Sequence, residues 1–453
     1  QSMSNPAKKA RNVAALSGGA LVVASPFLSA GSASAVGQVF TVTSLTDDGT
    51  GGVTLREAIE SANADATADT IQFQAGLNGT ITLASQLMVT ESVDIQGPGA
   101  GVVTIDGDDK DRVLYVYNGS NLISVSVSGL TITGGYDSAN AGGITSWDEE
   151  IELDSVVITG NTGDYAGGIY FRGGGASLTI RNSTISGNEG LSFGGGAYIT
   201  SAGTDGYTGL VIENSTISGN TSGAYGGAFY FAHSDGDSII RNSTISGNSA
   251  LYDGGGVYVS HTVTGSVSIE NSTITGNSAD HGGGVFIVDS SATPVSIVNS
   301  VIAGNTATAV TDSDSGAGND ISSSNAEPIS IDYSLIGDTV GYTADAGTGN
   351  LSGDPKLGAL ADNGGATKTH LPLAGSPVID AGDPTFETPP STDQRGLTRV
   401  VNSRIDMGAV EVQAPLPVLP PTGGSNGLMA TIGAGLLALG GGLHLTGRRK
   451  RTT

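Results

Sequence analysis

The densest group of ionisable side chains is DGDDKDR, Asp106 to Arg112. Asp106, Asp108, Asp109 and Asp111 could supply the oxygen ligands that calcium prefers. Lys110 or Arg112 beside them could take a proton, the acid-plus-base grouping that calcium-assisted elimination in a polysaccharide requires. The heptapeptide also lies between two apolar runs, Val102–Ile105 and Val113–Tyr117, where a polar turn is ordinary. Paired acids for glycoside hydrolysis must face each other at about 5–10 Å, which spacing along the chain does not fix. A second group is aromatic: Tyr170, Tyr198, Phe229, Tyr258 and Phe286 each follow a run of glycines and alternate with Ile169, Ala197, Ala228, Val257 and Val285. With the small residues inward, the rings form an outward stripe about 20 Å long, able to stack on sugar faces or, as the plainer expectation, on one another. A third group is the turn ahead of each glycine run, with Asp164-Tyr165, Phe193, Tyr225, Tyr252-Asp253 and Asp280-His281. Acids and rings there could line a glycan groove or hold calcium, although a solvated edge is the simpler reading. His233, His261 and His281 have no metal-ligand spacing. No cofactor is expected, although these oxygen ligands would suit a cation such as calcium.

The elements that position these groups are repeats. NSTISGN recurs at Asn182–Asn188, Asn214–Asn220 and Asn242–Asn248, followed by NSTITGN at Asn271–Asn277 and NSVIAGN at Asn299–Asn305, with a degenerate SVVITGN at Ser155–Asn161. Their closing asparagines are 27, 32, 28, 29 and 28 residues apart. Self-similarity at that period means stacked supersecondary units. Leu153, Ile180, Ile212, Ile240, Ile269 and Ile297 stand two residues before each heptad, and an isoleucine recurs inside it. Short β-branched stretches between Gly/Asn turns, with no helical period, predict two or three strands per coil. The expected fold is all-β, a right-handed parallel β-helix with a short N-terminal capping helix. The residue before each heptad runs Asp154, Arg181, Glu213, Arg241, Glu270, Val298. In-register stacking would place those opposite charges side by side. Asparagine tolerates left-handed backbone and its amide can bond turn carbonyls, so the repeated asparagines fit coil corners.

Composition narrows the partners. The 453 residues carry a formal net charge of −25, and all 43 acidic residues lie between Val36 and Gly423. So acidic a body repels nucleic acid and anionic lipid. With no cysteine there are no disulfides or thiolate metal sites, and stability must come from stacking.

The two ends read as an address. Lys8, Lys9 and Arg11 precede an apolar run from Val13 to Leu28 and then Ala33-Ser34-Ala35. This is the grammar of a secretory signal cleaved before Val36. At the other end come Leu419, Pro420, Pro421, Thr422 and Gly423, an apolar stretch Leu428–Gly447, and Arg448 to Arg451. Twenty residues match about one hydrocarbon thickness, and the basic cluster would stay on the cytoplasmic side. The arrangement resembles the LPXTG sorting signal of Gram-positive surface proteins, which implies cleavage after Thr422 by a sortase-type transpeptidase and attachment to peptidoglycan. The membrane is then met only through the span before sorting. A retained single-span anchor is the alternative.

Two further resemblances concern the ends of the stack. Phe40–Phe73 resembles the CSLREA domain of secreted β-helices, with Val53-Thr54 replacing the family's Cys-Ser ahead of Leu55-Arg56-Glu57-Ala58. Leu55, Ala58, Ile59 and Ala62 share one helical face, which could cover the open end of the stack. SPVIDAGDP, DQRGLTR and IDMGAVE (Ser376–Glu411) resemble a choice-of-anchor domain, with Asp380, Asp383, Asp393, Arg395, Asp406 and Glu411 at its recurring polar positions. The middle repeats resemble polymorphic outer-membrane and pectate-lyase-like β-helices.

The expected organisation is a signal peptide over 1–35, a CSLREA-like cap over 36–80 and β-helix repeats over 81–370. A choice-of-anchor-like region over 371–413, a Pro-rich spacer with sorting motif over 414–423, and a span with basic tail over 424–453 complete it. The function expected is cell-wall-anchored display or adhesion, contacting extracellular glycans or a host surface. The rival is a polysaccharide lyase or glycoside hydrolase on the same scaffold.

Overall fold

The computed structural model describes residues 37–413, apart from 203–207, 235, 261–264, 289–294, 310–317, 325–328 and 386–389. The expected signal peptide, sorting motif and C-terminal span therefore lie outside the described residues. Within them the chain winds as an all-β parallel solenoid of about nine turns with nearly no helix. Each central turn crosses four sheets. The coil containing Leu178–Arg181 continues through Thr184–Ser186, the two-residue strand Glu189–Gly190 and Ala197–Ala202 before returning to Thr208–Glu213. We call these the first to fourth sheets; they contain eleven, eleven, seven and nine strands. The strands of the third sheet are only two residues long, which is why its pattern was too short to register as a strand.

Each letter of the heptad has a mechanical task. The first asparagine turns the chain from the first sheet to the second in left-handed backbone, with φ of 49° at Asn182, 52° at Asn214, 50° at Asn242 and 46° at Asn271. Asparagine accepts that conformation at low cost. The next serine is buried and stitches rungs together. The Ser183 amide donates to Ser215 Oγ at 3.1 Å, and the Ser215 hydroxyl donates to the Glu213 carbonyl at 2.8 Å. The isoleucine enters the core, with Ile185, Ile217, Ile245 and Ile274 at most 1% exposed. Gly187, at φ 62°, makes the second corner.

The closing asparagine is buried, and its amide Nδ2 donates to the Oδ1 of the next. The separations from Asn161 through Asn188, Asn220, Asn248 and Asn277 to Asn305 are 3.0, 2.9, 2.9, 2.8 and 2.9 Å. Each Oδ1 also accepts the backbone amide of the rung before, as Asn248 does from Asn220 at 3.0 Å. The row ends on Asp320, whose carboxylate accepts from Asn305 Nδ2 at 2.8 Å. An acceptor without donors is the chemically consistent terminus for such a row.

The charge column is in register. Asp154, Arg181, Glu213, Arg241, Glu270 and Val298 are successive Cα partners along the first sheet. Arg241 Nε lies 3.0 Å and Arg181 Nε 3.6 Å from Glu213. Asp154 instead accepts from Asn182 Nδ2 at 3.0 Å, while Arg181 turns to Glu152. Half-exposed pairs of this kind are worth well under 1 kcal/mol each, so the column marks the register rather than enforcing it.

Both ends are finished. Helix α1, Leu55–Ala62, starts in a capping box of Thr54 and Glu57 and buries Leu55, Ala58, Ile59 and Ala62, the face expected from sequence. Thr54 supplies the capping hydroxyl, which accepts from Glu57 N at 3.2 Å. Arg56 pairs with Asp47 at 2.8 Å and donates to the Ser85 and Gln86 carbonyls. The chain after the last strand, Leu351–Ser352, folds back over the outward face of the second sheet. It is fixed by Asp383 N to Asn299 Oδ1 at 2.7 Å, Asn242 Nδ2 to the Thr392 carbonyl at 2.7 Å, and Ser246 Oγ to His370 Nε2 at 2.8 Å. Val378 and Met407 pack with Val301, Ala303 and Leu335 beneath it.

Asn248→Ala removes two bonds donated by its amide and the Oδ1 acceptor shared by the Asn220 backbone amide and Asn220 Nδ2, which keeps only the Ile185 carbonyl. We expect a loss of about 2–4 kcal/mol in urea unfolding. Unchanged stability would show that the amide row is not a structural tie.

Candidate functional site

The fourth sheet carries the aromatic column. Tyr170, Tyr198, Tyr230, Tyr258 and Phe286 are successive register partners. Their neighbouring centroids lie 5.4, 5.1, 4.7 and 5.6 Å apart with rings within 10° of parallel. One residue expected in this row is elsewhere: Phe229 is 0% exposed and points into the core with Phe231, level with Ala197 and Val257. The third glycine of the neighbouring runs, Gly196 and Gly256, is replaced by Ala228 in that coil. Counting from the end of Gly226-Gly227 therefore slips by one residue and swaps the two faces. Tyr230 is the ring that sequence reasoning missed; the adjacent tyrosine at the same register in flanking coils was the available signal.

The column is covered rather than presented. Tyr170 and Phe286 are buried, Tyr198, Tyr230 and Tyr258 half-buried, and ring faces meet ring faces. Burial pushes the phenols of Tyr198 and Tyr258 well up from their ordinary value, with adjacent tyrosines adding to the effect. Over them lies an outer row from the turn ahead of each glycine run. Tyr165, Phe193, Tyr225 and Tyr252 are spaced 5.5, 6.2 and 5.7 Å apart. Tyr165 packs edge-on against Tyr198 at 5.2 Å, and Phe193 and Tyr225 lie 5.1 Å from Tyr230 and Tyr258. Tyr252 (47%) and Tyr165 (36%) remain exposed, as do Leu191 and Leu251 on the same ridge. Asp253 bonds His281 Nδ1 at 2.8 Å at the end of the row. Trp147 lies against Tyr170 at 5.9 Å, and Arg172 sits over its ring at 4.9 Å.

The acidic heptapeptide is a turn that ties itself. Asp106 Oδ1 accepts the Asp108 amide at 2.9 Å, and Asp108 and Asp109 adopt positive φ. Lys110 pairs with Asp108, and Asp111 accepts the Gln86 amide at 3.1 Å. Arg112 reaches away to Asp137 at 3.3 Å and over the Tyr115 ring at 4.8 Å. The Asp106 and Asp111 carboxylates therefore accept backbone amides, Asp108 pairs with Lys110, and the two bases face different partners.

A tighter acid group occurs in the returning segment, where ligand atoms of Asp380, Asp406 and Glu411 come within 4.8 Å of one another. Asp406 accepts the Asp380 and Val412 amides at 2.6 and 2.7 Å; Glu411 accepts those of Asp406 and Val401 at 2.8 and 3.1 Å. Burial pushes Glu411 up to about 8, against the pull of these amides and of fully buried Arg399. Asp393 holds Arg395 at 2.7 Å. These polar positions fasten the segment's own turns, and Arg399 Nη2 extends to the Gly408 and Asn271 carbonyls.

Residues 142–326 match the family model described as right handed beta helix region. The body is a right-handed parallel β-helix. That fold is a scaffold for both adhesins and polysaccharide lyases or hydrolases, so chemistry must be argued from its surfaces. No curated protein matches the chain in sequence. Among the described residues no helix is long and apolar enough to cross a membrane.

The corrected register yields a contrast. Phe229→Ala should cost about 3–5 kcal/mol, and Tyr230→Ala on the opposite face about 1–2 kcal/mol, both read from urea unfolding. Equal losses would contradict this assignment of faces.

Proposed function

We propose that the chain is a cell-wall-anchored display or adhesion protein whose β-helix contacts glycans through the aromatic ridge. The observation that carries this reading is the outer row, where Tyr165 and Tyr252 are exposed together with Leu191 and Leu251 beside Asp164 and Asp280. Exposed rings offer apolar surface to sugar C–H faces, and adjacent carboxylates accept from sugar hydroxyls. The inner rings, Tyr170, Tyr198, Tyr258 and Phe286, support the outer row from below. The secretory signal and the LPXTG-like motif at Leu419–Gly423 supply the address, with a sortase-type transpeptidase and peptidoglycan as partners and a Gram-positive surface as location. The rival lyase or hydrolase would draw on Asp106–Arg112, where Asp106 and Asp111 accept backbone amides and Lys110 and Arg112 pair in different directions, with Asp108 and Asp137.

The test uses the secreted protein on a glycan array and with a polysaccharide panel. Wild type should bind without releasing reducing ends or unsaturated products, and Tyr165→Ala/Tyr252→Ala should weaken retention by about tenfold or more while the protein stays folded by circular dichroism. Thr422→Ala should move the protein from the wall fraction to the membrane fraction. Product release, undiminished binding by the double variant, or an unchanged wall fraction would each overturn the corresponding part.

A further inference from the structure

A stack whose coils touch only their neighbours can lose them one at a time from an open end. The C-terminal end of this stack is tied differently. After Leu351–Ser352 the chain turns back along the second sheet, and its two described runs, 353–385 and 390–413, grip successive coils. On the coil of Asn214, Thr367 Oγ1 donates to the Asn214 carbonyl at 3.1 Å, and the Thr216 hydroxyl donates to the Lys368 carbonyl at 2.5 Å. On the next, Asn242 and Ser246 hold Thr392 and His370. On the third, Ala409 N donates to Thr273 Oγ1 at 3.0 Å and Arg399 Nη2 reaches the Asn271 carbonyl at 3.4 Å. On the fourth, Asp383 N and Gly408 N donate to Oδ1 and the carbonyl of Asn299, each at 2.7 Å. Val378 and Met407 add apolar contact with Leu335 on the coil beyond.

Three features set this docking apart from a loop resting on a sheet. Gln394, only 2% exposed, spans two rungs: Nε2 donates to the Ser215 carbonyl at 3.1 Å and Oε1 accepts from Thr244 Oγ1 at 2.6 Å. The same Nε2 reaches Thr367 Oγ1 at 2.9 Å, so one side chain ties two coils and both runs. The approach is also close. Gly408 sits at φ 99°, and a Cβ there would stand 2.8 Å from Thr273 Oγ1 and 3.2 Å from a Val301 methyl. Finally, the segment is closed on itself to its end. Asp393 accepts Glu411 N at 3.0 Å and Asp406 accepts Val412 N at 2.7 Å. A pull entering beyond Gln413 meets these bonds before it meets the last coil.

We propose that the returning segment is a strap that makes the coils from Asn214 to Ile336 leave the stack together, and that it takes a pull applied at the C-terminal end. The coils of Asn214 and Asn299 are three rungs apart and share no strand pairing, yet the strap grips both. The outer coil cannot leave until the strap undocks, and losing one anchor leaves the others holding it in place. Without the strap, coils would peel in order from the end. The locking holds whatever supplies the pull; only the wall as its source rests on the proposed anchoring.

The test is hydrogen exchange by mass spectrometry, with single-molecule stretching between handles at the two ends, on the full secreted chain and on Gly408→Ala and Gln394→Ala. Neither replaced residue belongs to a coil, and circular dichroism verifies that both variants are folded. In wild type, peptides carrying Thr216–Ser218, Thr244–Ser246 and Thr273–Thr275 should exchange through one shared opening, and stretching should show one rupture for the strapped block. In each variant exchange should proceed in order from the C-terminal end, with Thr273–Thr275 faster by about tenfold or more and Val157–Thr159 unchanged. Stretching should then release coils singly. Thr422→Ala, which tests anchoring alone, should exchange and rupture like wild type. Folded variants that behave like wild type, or a wild type that already releases its coils one by one, would overturn the proposal.

Discussion

The structure depends on one constraint: every coil must lie in phase with the next, so that a side chain meets its own counterpart one rung away. The buried row of asparagine amides is the clearest physical expression of that constraint. From Asn161 to Asp320 each side chain donates to the next at 2.8–3.0 Å and satisfies a backbone amide as well. A slip of one residue would leave these polar groups buried without partners and would turn the isoleucine columns outward. The serine stitch and the isoleucine core impose the same register by independent means. Agreement between local turn chemistry and long-range packing is what makes one arrangement win.

In-phase stacking also determines what kind of surface the molecule can offer. Repeated side chains form columns, so the exterior is a set of long faces with different chemistry. One face is a ridge of rings two layers deep, and another lies beneath the returning C-terminal segment. That segment meets the second sheet through polar anchors such as Gln394, which bonds Thr216, Thr244 and Thr367 between 2.6 and 3.0 Å. A ladder of this kind brings like residues together efficiently, whereas catalysis needs unlike residues to converge on one point.

Much of this architecture was legible because the repeat made it so. The isoleucine columns, the charge column from Asp154 to Glu270, and the buried face of the capping helix followed from alignment of like letters and from helical periodicity. The failures have physical causes. Phe229 was misplaced because Ala228 takes a glycine's position, and in a strand a one-residue error exchanges inside for outside. The aromatic column was expected to offer an outward stripe or, more simply, to stack on itself, and parallel rungs bring its rings to about 5 Å, where their faces pair with one another. The return of the C-terminal segment along the second sheet rests on contacts more than a hundred residues apart, which no local pattern encodes.

The central claim is the in-phase register, and the absence of native cysteine makes it open to a direct measurement. Register partners on adjacent parallel strands have Cα atoms about 4.8 Å apart, within reach of a disulfide. Paired substitutions Tyr198→Cys/Tyr230→Cys should therefore oxidise to an intramolecular disulfide detectable by peptide mass spectrometry, while Tyr198→Cys/Phe229→Cys, whose side chains lie on opposite faces, should remain reduced. The reverse pattern, or cross-linking in neither pair, would contradict the stacking on which the account rests.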